Sequence, residues 1–258
     1  MTPSTTGRPG RDLAAYTLRL GDDALVLCQR LCALVTRAPT IEEDLALANI
    51  ALDLLGHART LLAYSGRLDG TGRCEDELAY LRTEREFRNA LLVELADGDF
   101  GVTVARQLVY ALYGELLYAE LARCSDAELA GFAARAAKDV EYHRMHAAQW
   151  TVRLGLGTAE SRERMRAGLE LVWPYAAELF ETDGLVERLD AAGTAVAPAR
   201  LRDAWEREAA AVLAEAELAV PAASWQATGG RSGAHTEEFG ALLAEFQSVS
   251  RQYPGGTW

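Results

Sequence analysis

Apolar residues recur every three to four positions over most of this chain, the spacing of helices that bury one face. In YTLRLGDDALVLCQRLCALV, Leu20, Ala24, Leu27, Leu31 and Leu34 fall on one stripe. TIEEDLALANIALDLLGHARTLLAYSGRL opens after Pro39 with a capping box, Thr40 to Glu43, and predicts a second long helix. FGVTVARQLVYALYGELLYAELARC predicts a third. SDAELAGFAARAAKDVEYHRMHAAQWTVRLGLG predicts a fourth, with a capping box from Ser125 to Glu128 and a stop at Gly155. Residues 69 to 98 form a long connection between the second and third helices, with a short helical piece and a turn at ADGD. Four long helices with one long crossover is the connectivity of the ferritin-like bundle, so the expected fold is all-α and ferritin-like, with additional C-terminal helices.

Those additional helices are expected over about residues 158–180, 198–218 and 235–251. Pro174 should kink or restart the first, and Pro198 suits the opening turn of the second. ATGGRSGAH reads as a flexible loop and YPGGTW as an irregular tail. The polar start, MTPSTTGRPGR, reads as a disordered leader over residues 1–11, without the pattern of a signal peptide. Residues 12–258 are expected to form a single domain.

Polar residues that interrupt apolar stripes carry the candidate chemistry. On the second helix, Asp44 shares a face with Ala48, Ala51, Leu55, Ala58 and Leu62, while Asn49, Asp53, Gly56, His57 and Thr60 lie opposite. On the third, Glu115 lines up with Val104, Leu108 and Ala111. On the fourth, His143 continues the stripe of Leu129, Ala133, Ala136, Val140 and Ala147, whereas His146 points elsewhere with Tyr142 and Gln149. Asp23 sits at the edge of the first helix's stripe. In a bundle such faces meet, and a buried charge is costly unless paired. Three readings are open: a mononuclear metal site on Asp44, Glu115 and His143, a hydrogen-bonded polar knot in the core, or an imperfect bundle in which one or more of these residues reach solvent.

A carboxylate-bridged di-iron bundle needs two Glu-x-x-His pairs. Three residues before the four histidines stand Leu54, Val140, His143 and Ser232, so the sequence contains no such pair. It also lacks HExxH, a Walker motif and GxSxG, and GLGTAE is a helix-ending turn without a third glycine. What remains is Asp53 with His57 and Asp139 with His143, each four apart, where a carboxylate can fix a histidine tautomer.

Composition narrows the partners. Half of the 258 residues are hydrophobic, enough for a sizeable core, and the formal net charge is −12. That balance opposes binding to nucleic acid or to an anionic membrane, and no apolar run is expected to be long enough to span a bilayer. Cys28, Cys32, Cys74 and Cys124 form no CxxC, which suits free thiols in a reducing, cytoplasmic compartment.

Several separated blocks, in order, are familiar: YTLRLGDDALVLCQRL, EEDLALANIALDLLGHAR, FRNALLVEL with ADGDF, EYHRMH and GGRSGAHTEEFGALLAEFQ. From about residue 12 to the C-terminus the chain resembles the PaaC family, the structural subunit of the multicomponent phenylacetyl-CoA epoxidase (ring 1,2-phenylacetyl-CoA monooxygenase). The resemblance implies a ferritin-like subunit with no catalytic, metal or cofactor-binding residues of its own. It implies pairing with a homologous di-iron catalytic subunit that epoxidises the aromatic ring, fed with electrons by a flavin and iron–sulfur reductase, in aerobic phenylacetate breakdown. On this reading Asp44, Glu115, Asp139 and His143 fill the place of the lost metal as a buried polar network. The competing readings are a stand-alone helical binding module for a CoA ester and a metal-dependent oxygenase in its own right.

Overall fold

The computed structural model describes residues 8–256, and among them all regular structure is helical. In chain order come α1 (Arg8–Cys32), α2 (Ile41–Leu68), α3 (Glu75–Tyr80), α4 (Leu91–Glu94), α5 (Phe100–Leu121), α6 (Ala127–Gly155), α7 (Ala159–Val172), α8 (Gly184–Ala191), α9 (Arg202–Glu215) and α10 (Glu237–Gln252). The described residues gather into two compact units. One runs to Ala96 and resumes at Gly229, and the other is Asp97–Thr228. Of the expected leader, residues 8–11 form the first turn of α1, and residues 1–7 lie outside the described residues, as do the last two of the tail.

In the first unit α1 and α2 form an antiparallel pair. Ser65 Oγ near the end of α2 donates to the Ala14 carbonyl near the start of α1, 2.9 Å away. At mid-helix the absence of a side chain at Gly21 lets Leu61 and Leu62 close on α1; a Cβ there would lie 2.9 Å from Leu62. Leu20, Ala24, Leu27, Leu31 and Leu34 are buried, as the stripe requires. α1 is in fact buried on every side from Gly21 to Cys28, which takes Asp22 and Asp23 into the interior together. The Thr40 cap holds, its Oγ1 accepting from Glu43 N. The core face of α2, however, is rotated toward Leu47, Ile50, Leu54 and Leu61, so His57, placed opposite the core by the helical wheel, is buried. α2 is also long and apolar enough, by length and composition, to cross a bilayer, with a mean hydropathy of 1.2 over its most apolar stretch, contrary to expectation. Its buried face packs on α1 within a protein core.

The second unit is built around α5, buried on all sides from Gly101 to Val109 and again from Ala111 to Gly114. α6 runs antiparallel to it: Phe100 meets Trp150, and Tyr118 meets Phe132 edge-on with ring centres 5.6 Å apart. α7 crosses α5 backbone to backbone at Gly101 and Gly168, where a Cβ on Gly168 would lie 2.8 Å from Gly101. The cap of α6 is Asp126 rather than Ser125, its Oδ1 accepting from Leu129 N at 2.8 Å. At Pro174 the expected long helix ends at Val172 and continues as a 3-10 segment, Trp173–Phe180, and Pro198 opens another at Pro198–Leu201. α8 lies in a stretch whose pattern predicted no helix.

Candidate functional site

The residues singled out from the sequence fall in different surroundings. Asp44, in the first unit, is half-buried on the first turn of α2 and its Oδ1 accepts from Thr36 N and Ala38 N, each at 3.0 Å. It closes the turn that leads into its own helix. Glu115, Asp139 and His143 belong to the α5–α6 pair of the second unit. Glu115 is half-exposed and its Oε2 lies 2.7 Å from Arg144 Nε, a partner the apolar stripes do not reveal. Asp139 is half-buried one turn before His143, which is buried with the rest of its stripe. Val140, three residues before His143, packs against α5 at Gly114, where a Cβ would sit 3.2 Å from a valine methyl. An apolar contact thus occupies the position where a Glu-x-x-His pair would place its carboxylate. Among the described residues no three His, Cys, Asp or Glu side chains gather closely enough to hold a metal ion.

The most extensive polar cluster lies in the first unit, where the helical wheel marked only Asp23, as an edge case. Asp22 and Asp23 are both buried within α1 and point to two different arginines. Arg82 grips the Asp22 carboxylate with both terminal nitrogens, one at 3.0 Å, and Arg88 N donates to the same carboxylate at 2.8 Å. The Arg82 guanidinium also lies over the Phe87 ring, 4.0 Å from its centre. Arg231 forks onto Asp23 at 2.8 and 2.7 Å, and Ala90 N adds a third bond at 2.7 Å. Burial pushes the Asp23 carboxyl up, and the Arg231 guanidinium offsets that only in part.

A third buried carboxylate, Glu94, accepts from Thr236 N at 2.6 Å and Asn89 Nδ2 at 3.0 Å, and faces His235 Nδ1 at 2.9 Å. His235 stacks on Phe239 with ring centres 4.3 Å apart. Gln247 on α10 donates to the Ala79 and Arg82 carbonyls. These bonds tie residues 79–94 and 231–247, far apart in sequence, to one another and to α1. ATGGRSGAH is therefore anchored, not flexible. Gly229 (φ 112°) and Gly233 (φ 85°) bracket Arg231 in left-handed conformations, and a Cβ on Gly233 would lie 2.7 Å from the Arg85 carbonyl. The loop is shaped to deliver Arg231 to Asp23.

The carboxylates of this cluster are saturated, whereas Asn89 Oδ1, His235 Nε2 and Thr236 Oγ1 beside Glu94 are buried without a hydrogen-bond partner. The cluster presents no nucleophile beside a base and no open side. Two clefts open on the surface. One of about 470 Å³ in the second unit is lined by Leu116, Arg123, Asp190, Val196 and Arg200 among others, but Arg123 is paired with Glu120 and Arg200 with Asp190, leaving little net positive charge for a polyanion. The other, about 440 Å³, lies in the first unit between the end of α1, α3 and α10.

Comparison with known proteins adds to this geometry. Residues 3–258 match the family model described as phenylacetic acid catabolic protein. The chain is also 46% identical over 246 residues to the C subunit of 1,2-phenylacetyl-CoA epoxidase from Escherichia coli (strain K12), an alignment that covers 95% of this chain and 99% of that relative. An all-α chain matched from end to end in this way belongs to the phenylacetic acid catabolic protein family.

Proposed function

We propose that this chain is a non-catalytic structural subunit of a phenylacetyl-CoA epoxidase in the cytoplasm, where it pairs with and supports the homologous di-iron catalytic subunit. The observation that carries this reading is the near full-length similarity to the C subunit of the Escherichia coli enzyme. The sequence supports it, since no Glu-x-x-His pair is present to ligate a di-iron centre. In the same reading Glu115, Asp139 and His143 form a polar network that holds the α5–α6 seam, and Asp44 serves the turn before α2.

The surface of α2 supports the pairing. Ile41, Leu45 and Leu52 are 76, 61 and 64% exposed, and with Ala48 and Gly56 they form a second apolar stripe pointing away from the helix's buried face. A helix apolar on both faces is suited to being covered on both. Glu42 and Asp53 lie along one edge of the stripe, and the chain carries −12, so a second copy of this chain is disfavoured and a partner subunit with a basic edge is favoured.

The test is co-expression with the catalytic subunit, followed by measurement of complex formation, iron in each separated chain, and ring epoxidation. The expected result is a stable complex with iron in the partner alone. Stoichiometric iron and turnover by this chain alone would overturn the reading. Failure to form any complex would leave a stand-alone binding module for a CoA ester as the better account.

A further inference from the structure

We propose that Cys28 and Cys32 form a peroxide-responsive dithiol at the C-terminal end of α1, with Cys32 as the attacking thiol and Cys28 as the one that resolves it into a disulfide. Three observations carry this. First, the two residues are one helical turn apart near the end of α1, which places their side chains on the same face. Second, their exposures are opposite: Cys28 is buried, whereas Cys32 is exposed and lines the cleft of about 440 Å³ together with Gln29, Tyr80, Glu245 and Phe246. Third, Cys32 is the last residue of α1 and is followed by tight turns, with Leu34 N bonded to Leu31 O and Val35 N to Cys32 O, so the backbone carrying it is not locked inside a helix.

The electrostatics agree with this division of labour. The Cys28 thiol donates to the Cys32 sulfur and lowers its pKa to about 7, while the same bond, with burial, pushes Cys28 up. The titratable groups that share the cleft are Tyr80 from α3 and Glu245 from α10. Burial, Asp76 and Cys28 push the Tyr80 hydroxyl up, so it stays protonated through the range in which Cys32 ionises. By contrast, burial pushes the half-buried Cys124 up.

In the first step the Cys32 thiolate attacks the distal oxygen of a hydroperoxide. An S–O bond forms, the O–O bond breaks, and the leaving oxygen takes a proton to give an alcohol, or water from hydrogen peroxide. Cys32 is then a sulfenic acid. In the second step Cys28 attacks the Cys32 sulfur, the S–S bond forms, and hydroxide leaves with the Cys28 proton as water. The dithiol loses two electrons and the peroxide gains them; an external thiol reverses the change. Residues four apart on a helix have Cα atoms about 6 Å apart, within the roughly 4.4–6.8 Å that disulfides span, but Cβ atoms about 5–6 Å apart against the roughly 3.5–4.5 Å of a disulfide, so the bond closes only as the last turn of α1, which ends at Cys32, unwinds.

The experiment treats the full chain with one equivalent of hydrogen peroxide, alkylates the remaining thiols, and digests with trypsin under non-reducing conditions. Arg30 lies between the two cysteines, so a Cys28–Cys32 disulfide leaves two tryptic peptides joined that are otherwise separate. The expected result is that joined pair, abolished by dithiothreitol, with Cys74 and Cys124 still alkylated. In Cys28→Ser, Cys32 should be trapped as a sulfenic acid by dimedone; in Cys32→Ser, Cys28 should stay reduced. The rate of Cys32 alkylation by iodoacetamide should rise with pH to a half-maximum near 7. Oxidation of Cys74 before Cys32, or separate Cys28 and Cys32 peptides after treatment, would overturn the proposal.

Discussion

Polar residues are handled in opposite ways around α1 in the first unit and along the α5–α6 seam of the second. In the first, Asp22, Asp23 and Glu94 are fully buried and each is met by partners from segments distant in sequence. In the second, the α5–α6 seam keeps its charge at the margin: Glu115 and Arg144 are each about 30% exposed, and the buried face of α6 along that seam is apolar apart from His143 and Thr151. A buried carboxylate is tolerated only when its partners are delivered together. The crossover before α5 and the loop before α10 make that delivery in the first unit. The α5–α6 seam leaves its Glu115–Arg144 pair near water, whereas elsewhere in the second unit Arg106 is fully buried against Asp97.

Breaking the first arrangement should have the largest effect. Arg231→Met strands the Asp23 carboxylate in the interior and should lower stability by about 3 kcal/mol or more. Urea denaturation should show the fall in midpoint, and Asp23→Asn in the same background should recover part of it. A loss below about 1 kcal/mol, the scale of an exposed pair, would mean that the pair is not closed as described.

Next comes Val140, three residues before His143. Val140→Glu places an acid against Gly114 without donors and should cost about 1–3 kcal/mol. It restores a Glu-x-x-His pair with His143, yet metal analysis should find no stoichiometric iron, because the second pair is still missing. Iron uptake would show that more of a metal site survives in the second unit than its sequence reveals.

Glu115→Gln should change stability by less than about 1 kcal/mol, with the difference shrinking in high salt, as expected for a half-exposed pair. The smallest effect on the chain itself is expected from Leu45→Asp with Leu52→Asp. Stability should move by only about 0.5 kcal/mol per substitution, while capture of the catalytic subunit is lost. Leu171→Asp on α7, similarly exposed, should leave capture intact. Equal loss with both would deny α2 a special role.

Much of the helical framework was legible because it is periodic. The α6 stripe from Leu129 to Ala147 is buried residue for residue, and Thr40, Pro174 and Pro198 mark boundaries where capping and proline chemistry require them. The helical wheel did less well on α2 because that helix is apolar around most of its circumference, so the pattern cannot say which face α1 covers. It also passed over Asp22, since it assumes one solvent-facing side and α1 has none between Gly21 and Cys28. Arg82, Glu94, Arg231 and His235 sit in or beside irregular segments, where period carries no information. The glycines bracketing Arg231 and the FRNALLVEL block were the available signals.

The sequence by itself determined the long helices, the Thr40 cap of α2, the absence of a Glu-x-x-His pair and the family. Each of these depends on residues close together in the chain or on their identity alone. Only the tertiary structure decided that Asp22 and Asp23 take separate arginines, that Asp44 caps a turn, that Glu115 pairs with Arg144, and that the Cys28 and Cys32 thiols lie one inside and one at a cleft. Burial and long-range pairing depend on what packs around a residue, and a helical period reports only which face it occupies.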